Sequence, residues 1–342
     1  MKTLMVTGAL SSLGKAVARR AGARGWRVIG VDRKSPSRPI QGMEFVQTDV
    51  NNPLLSRLLK AEGIDVIFHA AFRWRVRATP DIFENNVVGT AKLLEAAEAA
   101  SVRKFIFPSS AFVYGAHPQH PYLIPEDAPF RGASNYGYIR DLRDIETFLR
   151  GFRQQRPGMV ITVLRFANIL GRGYASPLAR YLRLPFIPTP LHSDPLLPLL
   201  HLDDAVRAAM QAIEKDHAGV YNVAAAPPTP LLEVITQAGR HAAPLPDSLV
   251  HGGQSLAAVI AQKGTAILPL PWDYLRFSWA LSTRKIREAW GFEPQFDAEA
   301  LLRDFARELQ TLGPPSPPLH KALSIGKKAL RAFSSLPKSS PP

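Results

Sequence analysis

The 342-residue sequence contains no cysteine, which excludes disulfide bonds and metal sites built on thiolates. It also lacks any run of about 18 apolar residues that would cross a bilayer. The N-terminus has neither the apolar core nor the cleavage site of an export signal. Acidic residues are the scarcer charge, with 28 Asp and Glu against 42 Lys and Arg, and the net charge of +14 favours anionic partners. These features predict a cytoplasmic globular protein without a metal site.

The first 170 residues alternate between short apolar runs and stretches with helical periodicity. The apolar runs predict strands at residues 4–7, 27–31, 44–47, 66–69, 104–107 and 160–164. The periodic stretches predict helices at residues 15–24, 54–61, 83–100 and 137–155. Continuous apolar strands separated by helices are typical of a Rossmann-like α/β fold, in which helices cover both faces of a doubly wound parallel sheet.

Residues 171–312 follow a less regular pattern, which predicts a smaller, proline-rich lobe that binds the substrate. Proline is frequent between residues 177 and 198, and helices are predicted at 203–214, 231–241, 283–290 and 298–311. A strand at 220–223 is expected to rejoin the main sheet, with the other Rossmann elements that return between residues 201 and 223.

Residues 313–342 contain seven prolines, five Lys and Arg, and no acid. Residues 319–336 form a candidate helix, with leucines at helical spacing and basic residues around them. This tail is either a disordered, solubilising C-terminus or an amphipathic anchor that holds the protein at the inner face of an anionic membrane.

A glycine-containing turn follows the first predicted strand and begins the first predicted helix. Its sequence from residue 7 to residue 14, TGALSSLG, is typical of a dinucleotide site, where amides at a helix N-terminus face the pyrophosphate. We expect Gly8, Ser11, Leu13 and Gly14 to contact the cofactor. Ser11 replaces the middle glycine of the motif, and its side chain should weaken binding.

Asp32 ends the second predicted strand, 18 residues after Gly14. A carboxylate at this position accepts hydrogen bonds from both ribose hydroxyls and repels a 2′-phosphate, so NAD is favoured over NADP. Arg33 stands next to it and reduces that preference slightly.

Several later motifs occur in an order shared with one known family. They are Thr48-Asp49-Val50, Ile67-Phe68-His69-Ala70-Ala71, Asn86-Val87-Val88-Gly89-Thr90, the SSxxVYG run from Ser109 to Gly115, Leu164-Arg165-Phe166-Ala167-Asn168, His201-Leu202-Asp203-Asp204 and Gly219-Val220-Tyr221-Asn222-Val223. With the glycine turn, they make residues 3–311 resemble the extended short-chain dehydrogenase/reductase family, the NAD-dependent sugar-nucleotide epimerases and dehydratases.

The resemblance implies further contacts to NAD. Asp49, with Val50 beside it, is expected at the adenine, and Ala70 and Ala71 lie on the segment that passes beneath the cofactor. Asn86 is expected to brace the sheet near the active site. We interpret His69 and Arg165, in contrast, as structural residues at the ends of buried strands.

The resemblance also implies catalytic roles for Ser110, which orients the substrate hydroxyl, and for Tyr136, which accepts its proton. Tyrosine titrates near about 10, so a nearby cation must lower its pKa. The family uses a lysine four residues later, which also holds the nicotinamide ribose, whereas this chain has Arg140. Arginine keeps the charge, which leaves two interpretations open: an active site of the dehydrogenase type, or a cofactor-binding site with little or no activity.

The substrate is expected to be a small molecule, and the resemblance places Asn168 near the diphosphate of a sugar nucleotide. Family members usually carry a diphosphate-binding arginine where this chain has Leu197. Arg276 is therefore expected to contact the substrate, and the alternative anchors are Arg172, Arg180 and Arg183. The basic run at residues 73–77 is either a solvated loop or an addition to the charge of the site.

Three functions remain open. The first is NAD-dependent chemistry on a nucleotide-linked sugar, and the second is dehydrogenation of an apolar steroid or lipid alcohol. The third is a non-catalytic, regulatory NAD(H)-binding protein. The apolar segment 184–188 would line the pocket, form a packed lid or mediate a homodimer contact. No nucleic-acid partner is predicted, because the sequence has no helix-turn-helix, zinc finger or stacking platform.

Overall fold

A computed structural model of the chain describes residues 2–184, 187–246 and 268–311. Its strands are β1 (Thr3–Thr7), β2 (Arg27–Asp32), β3 (Glu44–Gln47), β4 (Val66–His69), β5 (Lys104–Ser110), β6 (Val160–Phe166), β7 (Asn168–Leu170), β8 (Ile187–Pro190), β9 (Leu196–Leu197), β10 (Leu199–His201), β11 (Gly219–Val223), β12 (Thr229–Pro230) and β13 (Ala242–Leu245). Its α-helices are α1 (Ser12–Ala23), α2 (Leu55–Ala61), α3 (Pro80–Phe83), α4 (Gly89–Ala99), α5 (Gly137–Gln155), α6 (Pro177–Leu182), α7 (Leu202–Glu214), α8 (Leu231–Gln237), α9 (Asp273–Arg276), α10 (Arg284–Trp290) and α11 (Ala298–Thr311).

The main sheet has seven parallel strands in the order β3-β2-β1-β4-β5-β6-β11. Strands β1 and β4 are buried along their whole length, and β6 at every residue but Val160, because helices cover both faces, as the continuous apolar runs predicted. This arrangement confirms the Rossmann-like α/β fold. The strand order reverses beside β1, so the carboxyl ends of β1 and β4 border a crevice of the kind in which doubly wound folds bind ligands.

Two central strands continue beyond their predicted ends, because polar residues there are buried and paired. β5 runs to Ser110 and β6 to Phe166, and Ser109 pairs with Arg165 in their ladder. The Arg165 guanidinium is buried and donates to the carboxylate of Glu146 on α5, at 2.7 Å from Nη2 to Oε2. It also donates to the hydroxyl of Tyr114 at 2.6 Å. Arg165 therefore has the structural role predicted from the sequence, and it fixes the sheet edge next to Ser110.

The helix predicted at residues 83–100 is interrupted at the crevice. The chain forms α3, then a π-helical turn at Glu84–Val88, and then α4. The π turn contains Asn86, whose buried amide accepts from Arg73 N at 2.9 Å and donates to Asp141 Oδ2 at 2.9 Å. One short π-helical turn therefore ties the loop after β4 to helix α5.

The proline-rich stretch at residues 177–198 is more ordered than its composition suggested. It includes α6 and the short strands β8 and β9, which pair with β13 and β12. Helix α8 ends at Gln237 instead of at residue 241, since Gly239 adopts a φ of +69° and the Arg240 side chain turns to the carbonyl of Leu182.

Among the residues described, no helix is both long and apolar enough to cross a membrane. The predicted tail helix lies outside those residues, as do parts of the segment at 184–188.

Candidate active site

The glycine turn is built on a close approach between the ends of β1 and β4. Gly8 has a φ of +64°, and a Cβ atom there would lie 2.4 Å from the carbonyl oxygen of Ala70. A Cβ atom at Gly14 would lie 2.4 Å from the carbonyl oxygen of Gly8. Only glycine fits at these two positions, because the backbone itself occupies the space that a side chain would need.

Ser11 is the N-cap of α1, and its Oγ accepts a hydrogen bond from Gly14 N at 3.0 Å. The Ser11 hydroxyl therefore binds one of the backbone amides of the helix N-terminus that would otherwise be free to bind an anion. Ser12, the next residue, donates from Oγ to the carbonyl oxygen of Gly173 at 2.7 Å. This bond ties the start of α1 to the loop between β7 and α6.

Two cavities meet at this turn. The first, which we call the cofactor cavity, has a volume of about 170 Å³. It is lined by Gly8, Ser11, Val31, Asp32, Arg33, Thr48, Val50, Ala70, Ala71, Phe72, Arg73 and Asn85. Most of the residues that the sequence assigned to NAD are thus brought together here.

Asp32 is positioned in the cofactor cavity by backbone amides. Its Oδ2 accepts from Leu10 N at 3.1 Å and its Oδ1 from Lys34 N at 3.3 Å. A carboxylate has about four lone-pair positions, so acceptor capacity remains for a ligand. Asp49 does not line the cavity, since its Oδ1 accepts from Asn51 N at 2.9 Å and its Oδ2 lies 3.7 Å from Arg33 Nε.

The second cavity, which we call the substrate cavity, has a volume of about 190 Å³ and shares Ser11, Ala70 and Phe72 with the first. It is further lined by Ser12, Leu13, Trp74, Pro108, Ser109, Ser110, Phe112, Phe166, Ala167, Asn168, Ile169, Tyr174, Ala175, Ser176, Pro177 and Arg180. Two predicted substrate residues, Ser110 and Asn168, therefore face one space.

Ser110 and Asn168 are both held by the backbone. Ser110 Oγ donates to Phe166 O at 3.4 Å and accepts from Phe112 N at 3.4 Å, which are long bonds that a better partner could replace. Asn168 Nδ2 donates to Pro198 O at 2.9 Å, and its buried Oδ1 has no partner among the residues that the structure describes. A substrate donor could satisfy that oxygen.

Tyr136 does not line the substrate cavity. Its hydroxyl lies 3.1 Å from the carbonyl oxygen of Leu270 and 3.3 Å from that of Leu268. The neighbouring Tyr138 hydroxyl donates to Pro269 O at 3.2 Å. Burial and the negative charge of Asp273 raise the pKa of Tyr136 to about 12. We call residues 268–270 the carbonyl clasp, since their backbone carbonyls accept hydrogen bonds from the hydroxyls of Tyr136 and Tyr138. Tyr136 is the residue that the sequence assigned to proton transfer.

Arg140 points to a carboxylate and not to the Tyr136 hydroxyl. Its Nη2 lies 2.9 Å from Oδ1 of the buried Asp141, and its guanidinium stacks over the ring of Phe83 at 5.5 Å. Asp141 also accepts from Asn86, so the three side chains form one network. Neither Arg140 nor Asn86 is among the described residues that line the two cavities.

The arginines predicted to bind the diphosphate of the substrate lie in different parts of the molecule. Arg276 lies outside the described lining of both cavities, with its guanidinium 5.0 Å from the ring centre of Phe277. Arg172 is exposed and also outside the lining, whereas Arg180 is part of it. Leu197, at the family's usual anchor position, is buried in β9. Of the candidate anchors, Arg180 is the one that reaches the substrate cavity.

The aromatic wall of the substrate cavity was missed by the sequence analysis. Phe72, Trp74 and Tyr174 lie in loops, where no periodic pattern marks a buried or site-facing side chain. The run at residues 73–77 is conspicuous for its arginines, but Trp74 is the residue in it that indicates an aromatic wall. Burial and the neighbouring Arg180 act in opposite directions on Tyr174, and burial prevails and raises its pKa to about 12.

His69 has the structural role that the sequence predicted. Its ring nitrogens lie 2.6 Å from the hydroxyl of Thr7 and 2.9 Å from that of Thr90. Complete burial lowers the pKa of His69 to about 3, so the ring is neutral at physiological pH and satisfied by two hydroxyls.

Comparison with known proteins places this arrangement in context. The model of the NAD dependent epimerase/dehydratase family matches residues 4–224. An uncharacterised protein of Mycobacterium tuberculosis (strain H37Rv) is 32% identical over 316 residues, which cover 90% of this chain and 84% of that protein. UDP-glucose 4-epimerase of Thermotoga maritima, solved with UDP-glucose, superposes with a TM-score of 0.71 at 22% identity, over 91% of this chain and 99% of its own. UDP-glucose 4-epimerase of Thermus thermophilus, solved with NAD, gives 0.69 at 20% identity, over 90% and 99%.

The junction at Gly8 generates a stability prediction. Gly8→Ala should lower the free energy of unfolding by more than 1 kcal/mol, because the new Cβ atom meets backbone at an unfavourable φ. Gly158→Ala is the matched control, since a Cβ atom there meets open space. Urea unfolding of both variants measures the difference, and equal stabilities would contradict the packing described at the turn.

Proposed function

This chain belongs to the NAD dependent epimerase/dehydratase family, and from that premise we propose that it is an NAD-dependent enzyme acting on a secondary hydroxyl of a nucleotide-linked sugar. The observation that carries the proposal is the shared wall of the two cavities. Ser110 and Asp32 open into separate spaces that meet at Ser11, Ala70 and Phe72. A dinucleotide can therefore extend from one to the other, with its reactive end next to the substrate.

NAD is the proposed cofactor because the residues present fit its parts. The turn places Gly8 and Ser11 in the lining of the cofactor cavity at the N-terminus of α1, where backbone amides favour a pyrophosphate. Asp32 retains acceptor capacity for ribose hydroxyls, and Val50 and Ala71 supply apolar wall. When bound, NAD supplies the oxidant for a carbon that carries a hydroxyl.

A nucleotide-linked sugar is the proposed substrate for two reasons. Arg180 gives the substrate cavity a cation, which suits an anionic ligand and not the sealed apolar pocket of a steroid or lipid dehydrogenase. The Thermotoga maritima relative was solved with UDP-glucose. Asn168, whose Oδ1 has no partner in the described part of the chain, is proposed to accept from a donor on the bound sugar nucleotide.

Ser110 and Tyr136 are proposed to share the proton chemistry. Ser110 would exchange its long bond to Phe166 O for the substrate hydroxyl, and Tyr136 would take the proton of that hydroxyl. Tyr136 can do so only when the carbonyl clasp releases its phenol. Arg140 is proposed as the nearby positive charge, and it must exchange Asp141 for the phenolate or the cofactor ribose.

A second candidate function is a non-catalytic NAD(H)-binding protein. It is favoured by one specific arrangement, in which the Tyr136 hydroxyl is bound to backbone carbonyls while Arg140 is bound to Asp141. Both functions require the cofactor cavity, and only the first requires the phenol to reach the substrate.

The ribose assignment predicts a cofactor-specific effect. Asp32→Ala should weaken the binding of NAD at least tenfold, since it removes charge-assisted hydrogen bonds of about 1.5–3 kcal/mol. It should weaken the binding of NADP much less. Fluorescence titration of NADH and NADPH measures the two affinities, with Asp127→Ala, an exposed carboxylate, as the control. Equal losses for the two cofactors would overturn the assignment.

The assignment of Tyr136 as the proton acceptor predicts that its loss affects turnover but not the binding of NAD. Tyr136→Phe should lower turnover of the nucleotide sugar by roughly 10²–10⁴-fold, because the proton acceptor is gone, and leave NAD binding nearly unchanged. Tyr181→Phe is the matched control, since it also removes a hydroxyl bound to a carbonyl, Pro188 O at 2.8 Å. Full activity of Tyr136→Phe would exclude this tyrosine, and inactive wild-type protein that still binds NAD would favour the second function.

The raised pKa of Tyr136 predicts the pH dependence. The phenolate is the base, and a pKa near 12 makes it scarce at neutral pH. Oxidation of the hydroxyl should therefore accelerate by up to tenfold per unit between about pH 7 and 9. Asp273→Asn should lower the pKa and raise the rate near pH 7, because Asp273 contributes the opposing charge. A rate already constant across this range in the wild type would contradict the assignment.

A further inference from the structure

Two arginines in or beside the lining of the substrate cavity, Arg180 and Arg75, lack a carboxylate partner among the described residues. Arg180, near the end of α6, lines the cavity and donates from Nη1 to Trp74 O at 3.4 Å. Arg75 follows Trp74 in the chain and is likewise exposed. Within the described ranges, neither arginine forms an ion pair, whereas their neighbours Arg73 and Arg183 are bound to Asp81 at 2.9 Å and Glu308 at 3.0 Å.

The hydrogen bond from Arg180 to the carbonyl of Trp74 joins Arg180 to the loop that carries Arg75. The loop that carries Arg75 caps the start of α5, where Tyr138 N donates to Arg75 O at 3.0 Å and Gly137 N donates to Val76 O at 2.7 Å. Partial burial and the charge of Arg75 lower the pKa of Arg180. Like charges held together without an acid repel each other, and an anion bound between them would relieve that repulsion.

The size of the substrate cavity indicates where the anionic part of a nucleotide-linked sugar would lie. At about 190 Å³, the substrate cavity is smaller than the roughly 300–1,000 Å³ that encloses a whole drug-sized ligand. It can therefore hold only part of a nucleotide-linked sugar, and the remainder must extend through the mouth. Arg180 lines this cavity, and Arg75 directly follows Trp74, which lines it too.

We propose that Arg75 and Arg180 form the diphosphate-binding site of the substrate, in place of the anchor that Leu197 cannot provide. The inference deepens the proposed function, because it assigns the group that joins the sugar to its nucleotide. Guanidinium groups bind phosphate oxygens through paired hydrogen bonds, and two of them from different elements can grip both phosphates. Leu197 is buried and apolar, so no such contact comes from its position.

Equilibrium binding to the full-length protein saturated with NAD tests the proposal. The probes are UDP, UMP and uridine, with dTDP, ADP and GDP to allow for another base, and UDP-glucuronic acid. Arg75→Gln and Arg180→Gln should each weaken the preferred nucleoside diphosphate about tenfold, weaken the monophosphate less and leave the nucleoside unchanged. Arg77→Gln and Arg172→Gln, two exposed arginines outside the cavity lining, should have little effect.

Each other result overturns the proposal in a recognisable way. If Arg180→Gln weakens NAD and not the diphosphate, the arginine serves the cofactor. If Arg180→Gln weakens only the binding of UDP-glucuronic acid, Arg180 binds the carboxylate of that sugar. If no nucleoside diphosphate binds the wild type, the site does not exist. The readout requires no turnover, so a protein that binds diphosphate through both arginines but never oxidises a sugar would refute the proposed function alone.

Discussion

The approach of β1 to β4 at Gly8 is the constraint on which the site depends. With a Cβ atom at Gly8 excluded by the carbonyl of Ala70, the two strand ends lie close enough for Ala70 to form part of both cavities. The same turn begins α1 and presents its N-terminus to the crevice. The parallel sheet supplies the remaining geometry, because it ends β2 and β5 at the same edge and so places Asp32 and Ser110 on either side of the turn.

Helix α5 shows a competition between structural and chemical demands on the same side chains. Its first amides are capped by the carbonyls of Arg75 and Val76, and Asp141 in its first turns is buried against Asn86. A buried carboxylate is stable only when paired, and Arg140 provides the cation. The charge that a proton-accepting tyrosine requires is thus engaged elsewhere, and the carbonyl clasp holds the Tyr136 phenol in its neutral form. Substrate and cofactor would have to supply the free energy that releases both groups.

The sequence predicted those parts of the molecule that local pattern determines. Apolar runs located the strands of the main sheet, and the residues that follow strand ends, such as Asp32 and Ser110, indeed face the crevice. The partners of Tyr136 could not be found in this way, since Leu268 and Leu270 are more than 130 residues distant and accept its hydrogen bonds only through their backbone carbonyls. The same holds for Trp74 and Arg180, which meet because a loop and a short helix pack together without a periodic signal. The choice among several candidate arginines needed the fold, because residue type alone does not show which one reaches a cavity.

The central claim is that the two cavities bring a dinucleotide and a sugar nucleotide into reacting contact. The most direct test is a single-turnover experiment in which NAD-loaded protein is mixed with a panel of UDP- and dTDP-linked sugars, while the absorbance of reduced nicotinamide is followed. The account predicts a rise in that absorbance with at least one sugar nucleotide, and no rise with the matching free sugar. Tight binding of both ligands without any reduction of the cofactor would contradict it.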